Sequence, residues 1–304
     1  MKLSYLPVRF HIVFDPPAYA DNPPLFVLRS MLGKLLRSMC CIAHNSKCQE
    51  CLYNKNCVYT FLFETILPSE NNITPGRDRA SHPFVFTSGT LRAGKEISEY
   101  DFTITLLGKA IDYLPYVYTA FVHAGKEGVF KSRTPFIVDK VEADKKNILL
   151  DADHLDTSAV PKTWSFNENL SDKTGEILVE LRTPMRFKYD GNYGTDFSVQ
   201  DFFACLYRRT KTLCRLYGNY EAASDYTPSD AVKILESHLE WQDYRHYSVR
   251  QKEAMILGGT VGTLKLAGSF SAMDQNLLEF GRVFNVGKNT NFGLGQLDFW
   301  QRWE

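Results

Sequence analysis

The sequence has no excess of charge of either sign: 35 basic and 35 acidic side chains leave a formal net charge of zero. A chain drawn to nucleic acid or to an anionic surface by its overall field is excluded, so any polyanion-binding role must rest on local patches. Long apolar runs are missing too. No stretch approaches the roughly 20 residues of a membrane-spanning helix, and the opening Met1-Lys2-Leu3-Ser4-Tyr5-Leu6-Pro7 meets Arg9 and His11 before a signal-peptide core could build up. The expectation is a cytoplasmic protein with no membrane partner, in which the seven cysteines stay reduced. Compositional bias is also lacking, since 44% hydrophobic and 23% charged residues fit neither a disordered nor a fibrous chain. At 304 residues there is material for two domains, each with a core of its own.

Periodicity then supplies elements. Leu3, Tyr5, Val8, Phe10, Ile12 and Phe14 approximate a period of two until Asp15-Pro16-Pro17, which reads as a strand and its end. Asn22-Pro23-Pro24 opens a helix striped by Leu25, Leu28, Leu32, Leu36 and Met39. Strand-like runs follow at 58–66, 84–87 and 100–107, then a helix carrying Ala110, Tyr113, Leu114, Val117 and Phe121. Gly125-Lys126-Glu127-Gly128 turns into a strand ending near Val138. The polar stretch 151–172, with Pro161, reads as a connection, so the expected domains are 1–150 and 151–304.

The second half repeats the order. Ile177, Val179, Leu181, Thr183, Met185 and Phe187 alternate with Arg182, Arg186 and Lys188; a helix buries Val199, Phe202, Phe203, Leu206, Leu213 and Leu216; strands at 241–256 and 261–267 are hinged at Gly258-Gly259; a short helix spans 273–280. Two strand-helix-strand-strand-helix-strand copies predict an α+β protein of two tandem ferredoxin-like (RRM-like) domains, each βαββαβ with an antiparallel sheet.

Within 281–295, Gly287, Gly293 and Gly295 surround Lys288, Asn289, Thr290, Asn291 and Phe292. Bare backbone beside a cation and small polar groups is how a loop approaches a phosphate. It is not a nucleotide-binding P-loop, which takes four residues between its first Gly and its Gly-Lys pair and then Ser or Thr. Gly281 to Gly287 leaves five, Asn289 follows the lysine, and Leu294, Leu297, Phe299 and Trp300 read as a strand. Arg208, Lys211 and Arg215 share a helix face, Arg182, Arg186 and Lys188 a strand face, and Arg245 and Arg250 lie in the next strand region, with Tyr217, Tyr244, Tyr247 and Phe292 as stacking candidates. Any one of these strips alone also fits a solvated face.

Between residues 40 and 57 a cysteine-rich insertion holds Cys40, Cys41, His44, Cys48, Cys51 and Cys57. Cys48 and Cys51 bracket two residues, and Cys41 and Cys57 could complete a tetrahedron for a structural zinc. The same cysteines also read as small apolar side chains packed beside Tyr59, Phe61 and Phe63. His44 is open as acid-base group, metal ligand or surface residue; His246, between Arg245 and Tyr247, as acid-base, RNA-facing or structural.

Together with Tyr247-Ser248-Val249-Arg250-Gln251, Leu257-Gly258-Gly259-Thr260-Val261-Gly262 and Leu277-Leu278, the glycine-rich stretch resembles the C-terminal domain of the CRISPR precursor-RNA processing endoribonucleases of the RAMP superfamily. The likeness covers roughly the last 130 residues, with a looser one in the first half. It implies a metal-independent endoribonuclease, needing no cofactor for catalysis, that cuts CRISPR repeat RNA by 2′-hydroxyl attack, leaves a cyclic phosphate and releases mature guide RNAs. It also implies a catalytic histidine soon after the first helix, here His44, with Tyr53 or Lys55 stabilising charge, and Lys288 with the glycine amides holding RNA backbone. Precursor and guide RNA are the implied partners, alongside CRISPR effector or adaptation proteins. A non-catalytic RAMP subunit binding guide RNA in an effector complex would share the loop and the folds; a zinc-stabilised interaction module with no RNA role would suit the zero net charge.

Overall fold

The computed structural model describes residues 1–44, 46–67, 73, 79–152, 154–221, 226–248 and 253–304. Two compact units emerge, Ser4–Thr163 on one hand and Met1–Leu3 with Trp164–Glu304 on the other.

In the first unit β1 (Lys2–Ala20) is followed by α1 (Pro24–Cys40), β2 (Phe84–Ser88), β3 (Lys95–Leu107), α2 (Leu114–Glu127), β4 (Ile137–Ala143), β5 (Lys146–Asn147) and β6 (Lys162–Ser165). The sheet order is β2-β3-β1-β4-β5, with β6 also pairing β1. Alternation works as expected in β1, where Val8, Phe10, Ile12 and Phe14 are buried. Its expected end at Asp15-Pro16-Pro17 is instead an irregularity: the register against β3 shifts between Val13 and Ala18, and the strand resumes to Ala20. Proline has no N–H to give a ladder, so a bulge is where a strand tolerates it. Phe10, Phe102 and Phe121 pack their rings 5.0–5.2 Å apart beneath α2 and the sheet.

Residues 58–66, expected as a strand, are helical through Glu64 and end in a π-turn at Thr60–Glu64. Tyr59, Leu62 and Phe63 are buried there, and Glu64, 3% exposed, is held by the Tyr59 hydroxyl at 3.1 Å and by Arg79. Burial of one helical side outweighs the strand preference of Val58, Tyr59 and Thr60. The strand expected to end near Val138 in fact starts there, because α2 runs on to Glu127.

The second unit contains β7 (Lys173–Met185), α3 (Val199–Tyr217), β8 (Val232–Ser248), β9 (Glu253–Phe270), α4 (Ala272–Phe284) and β10 (Leu297–Trp303), in the order β10-β7-β9-β8. Numbered within its own half, each sheet therefore places its fourth strand beside its first, then the third, then the second, as a ferredoxin-like fold requires. Ser198 and Ser271 cap α3 and α4 with reciprocal bonds to Asp201 and Asp274. Ile177, Val179, Leu206, Leu264, Leu266, Leu277 and Phe299 join strands and helices in one core.

The expected hinge at Gly258-Gly259 is absent: both glycines lie inside β9, opposite Asp243 and Gln242, and the two strands pair as far as Ser248 opposite Glu253. A Cβ on Gly259 would stand 2.7 Å from the Met185 carbonyl carbon, so glycine here permits close approach between strands. Gly281 is likewise inside α4, not in a loop. Among the described residues no helix is long and apolar enough to cross a membrane.

Candidate nucleic-acid interface

The loop between α4 and β10 is stitched to the end of β7. Val286 N donates to Gly295 O at 2.8 Å, Lys288 N to Arg186 O at 2.8 Å, and Gly295 N to Pro184 O at 3.0 Å. The Thr183 hydroxyl donates to Gly293 O and accepts from Gln296 N, both at 2.9 Å. From α3, Arg209 reaches in: its guanidinium donates to the carbonyls of Asn285 and Phe284, each at 3.2 Å, and to the Thr290 hydroxyl at 2.8 Å. Arg209 is only 8% exposed, and burial pulls its pKa down to about 10.

This changes what the glycines do. Gly287, Gly293 and Gly295 have φ of +88°, +84° and +73°, and a Cβ on Gly295 would meet Val286 O at 1.8 Å. Gly293 N donates to Thr290 O and Gly295 N to Pro184 O, so these two amides are not offered to a phosphate as expected. Thr290, Asn291 and Phe292 are buried, and Gly287 and Asn289 half-buried, which leaves Lys288 as the loop's exposed side chain. The glycines give the loop its close fit to β7; Lys288 faces outward.

Lys288 Nζ donates to the Tyr193 hydroxyl at 2.6 Å and lies 5.2 Å from that ring's centre. Arg186 sits over the same ring at 4.4 Å and Lys188 at 5.5 Å. The Lys288 hydrogen bond, with the charges of Lys288, Arg186 and Lys188, holds the Tyr193 phenol below the usual tyrosine range. None of the three cations makes an ion pair with a carboxylate among the described residues; Arg186 donates to Ile256 O at 3.2 Å. Trp241, 37% exposed, has its ring 6.5 Å from Tyr193. Three such cations around one half-buried aromatic suit a phosphodiester, and the two aromatic faces suit an unpaired base.

Tyr193 and Trp241 complete this group; Arg186, Lys188 and Lys288 were expected site residues. A local signal existed. Asp190-Gly191, both at positive φ, close a two-residue turn in which Tyr189 and Asn192 exchange backbone bonds, and Asp-Gly is a strong hairpin signal. The Thr260 hydroxyl then anchors Gly194 O at 2.8 Å, next to Tyr193.

Other expected residues stand elsewhere. Arg182 pairs with Glu180 at 3.6 Å and Asp298 at 3.9 Å. Lys211 lies over Tyr207 and Arg215 over Tyr220, Arg208 is exposed, and their neighbour Arg209 is the α3 cation that meets the loop. Arg245 is exposed on β8, and the His246 ring packs edge-on to Phe292 at 5.1 Å. Arg250 lies outside the described residues. In the first unit His44, Tyr53 and Lys55 are all exposed on the segment after α1.

The zinc site expected from Cys41, Cys48, Cys51 and Cys57 is not assembled: among the described residues no three His, Cys, Asp or Glu side chains could hold one metal ion. Burial, with Cys57 and Cys41 nearby, pushes the Cys40 thiol up to about 11, and burial also raises Cys48, which feels Cys41 and Cys57 too.

Sequence-family comparison gives two matches, an N-terminal domain family (AF_1859_N) over residues 3–161 and the CRISPR-associated endoribonuclease Cas6 family over residues 179–297. Residues 179–297 thus form a Cas6-family domain. The interface above lies within the Cas6 match. A Cas6 product complex from Thermus thermophilus shares the fold with a TM-score of 0.54 at 14% identity, over 97% of this chain and 100% of the other. A second Cas6 product complex gives 0.51 at 16% identity over the whole of both chains. A partial Cas6-RT-Cas1–Cas2 complex gives 0.51 at 13% identity over 99% of this chain and 46% of the other. No curated protein sequence matches.

Proposed function

We propose that this chain cuts CRISPR repeat RNA without a catalytic metal and releases mature guide RNAs. A general base removes the proton of the ribose 2′-hydroxyl beside the scissile bond, the alkoxide attacks phosphorus, and the departing 5′-oxygen takes a proton from a general acid. The products are a 2′,3′-cyclic phosphate and a 5′-hydroxyl. His44 is the assigned acid or base, with Tyr53 or Lys55 neutralising charge on the phosphorane. The observation that carries the reading is the convergence of Arg186, Lys188 and Lys288 on Tyr193, because a phosphodiester offsets repulsion among cations that have no carboxylate partner among the described residues. RNA lies along this group and is held by side-chain cations more than by the glycine amides. The similarity to Cas6 product complexes and to a Cas6-RT-Cas1–Cas2 complex supports RNA as ligand, and CRISPR adaptation or effector proteins as partners.

The test is incubation with cognate repeat RNA in EDTA, beside the same RNA with a single 2′-deoxy at the scissile position. Cutting of the first strand alone is expected. Cutting of both would overturn 2′-hydroxyl attack, and tight binding with no cutting of either would make the chain a guide-RNA-holding RAMP subunit.

A further inference from the structure

In the first unit a pocket of about 590 Å³ opens between the start of α1 and the turn after α2. Asp21 forms part of its wall, and both carboxylate oxygens are buried and accept no hydrogen bond from the described residues. Lys131 Nζ stands 3.9 Å from Oδ2, beyond hydrogen-bond reach, on a side chain that is 89% exposed and therefore able to swing away. A carboxylate has about four acceptor positions, and burying them all without a donor is unfavourable unless something else is gained. The opposite wall carries strain. Phe130 and Arg133 hold φ of +64° and +50° in a tight turn closed by mutual bonds between Val129 and Thr134. Left-handed backbone at non-glycine residues occurs in tight turns and clusters at ligand clamps. Met31 and Phe130 supply apolar and aromatic surface, while Lys34 is occupied by Glu127, Lys131 faces Asp21 from 3.9 Å, and Arg133 has no carboxylate partner among the described residues.

We propose that this pocket takes a guanylate unit, free or within an RNA strand. Guanine is the base that presents two parallel donors, N1–H and the exocyclic N2–H, to a carboxylate. Adenine offers an acceptor at N1, cytosine one donor beside an acceptor, and uracil one donor between two acceptors. Asp21 accepts both guanine donors, Phe130 and Met31 cover the base, and Lys131 moves from Asp21 to the phosphate, with Arg133 beside it. The volume lies within the range of small-molecule sites. This is a second binding site, in a different unit from the cationic group on Tyr193.

The experiment is calorimetric titration of the full chain with guanosine, inosine and adenosine 5′-monophosphates. Guanylate is expected to bind about tenfold more tightly than inosinate, which lacks the 2-amino donor, and adenylate not measurably. Asp21→Asn should abolish the preference for guanylate. Lys131→Ala should remove the advantage of guanylate over guanosine and leave base choice intact. Equal binding of guanylate and adenylate by the unaltered chain overturns the proposal whether or not Asp21→Asn folds, and so does guanylate binding that Asp21→Asn leaves unchanged. Binding of N-acetylarginine amide in place of guanylate would also overturn it, making the pocket a receptor for a protein arginine. Competition by an uncleavable RNA whose potency falls when its unpaired guanosine becomes inosine identifies the strand as the source; guanylate binding without such competition identifies the free nucleotide. Cleavage is not the readout, so failure here leaves the endonuclease reading standing.

Discussion

Each half of this chain places a glycine-bearing turn between its second helix and the fourth strand of its βαββαβ order, and the two turns are dressed differently. In the first, a Cβ on Gly125 would meet Phe136 O at 2.1 Å and one on Gly128 would meet Arg133 O at 2.1 Å. In the second, Gly295 is as tightly confined against Val286. Glycine therefore reports the same thing twice, namely that backbone passes close to backbone. The surroundings separate them. The first turn is a short strained hairpin over Asp21, and the second is a longer loop fixed by Thr183 and Arg209 that directs Lys288 toward Tyr193, Arg186 and Lys188. A glycine pattern marks where a loop must fit; the side chains that fix and flank it decide what it does.

The largest test of this division concerns chemistry against binding. His44→Ala should lower the single-turnover cleavage rate by about 10²–10⁴-fold and leave RNA affinity unchanged, and an unaltered rate would remove His44 from the mechanism. Next come the glycines. Gly128→Ala and Gly295→Ala should each cost roughly 2–4 kcal/mol in chemical denaturation, combining left-handed backbone with a clash. Gly94→Ala, at φ +82° in open space, should cost about 1–2 kcal/mol. Of the two confined glycines, only Gly295→Ala should also weaken RNA binding; equal weakening by Gly128→Ala would erase the contrast between the turns.

Smaller again is Arg209→Leu, which leaves the buried carbonyls of Phe284 and Asn285 without this donor and should cost about 2–3 kcal/mol. Lys288→Met should reduce RNA affinity and flatten the dependence of log K on log salt by about 0.7, as for one phosphate contact to a single strand. It should also shift Tyr193. With its pKa lowered in the folded chain, the phenol ionises at lower pH than in the unfolded chain, so its contribution to stability is present above the unfolded value and lost as pH falls through the folded one. Ultraviolet titration should show one early-ionising tyrosine that moves upward in Lys288→Met; no movement would place the cause elsewhere.

Much of the fold was legible because burial imposes periods. The stripe Leu25, Leu28, Leu32, Leu36 and the alternation Ile177, Val179, Leu181 are the inner faces that the structure buries. Where burial is partial, the signal failed. Most of β8, from Val232, went unnoticed because Lys233, Glu236, Ser237, His238 and Glu240 leave it few apolar positions, consistent with its place at the sheet edge. Residues 58–64 misled in the other direction, since aromatic and β-branched residues fill one side of a helical turn as readily as a strand. At the interface, Lys288 and Arg186 were visible as cations near glycine. Tyr193 was not, because its importance arises from Lys288, 95 residues away.

Trp241 lies 6.5 Å from Tyr193 and is 37% exposed, whereas Trp164 is 8% exposed and packed against Phe280 at 4.8 Å. The interface thus carries its own fluorophore, close enough to Tyr193 to collect its excitation energy. A base stacking on Trp241 quenches emission from that position and leaves the glow of Trp164 untouched, so occupancy can be followed on unlabelled protein and unlabelled RNA in real time.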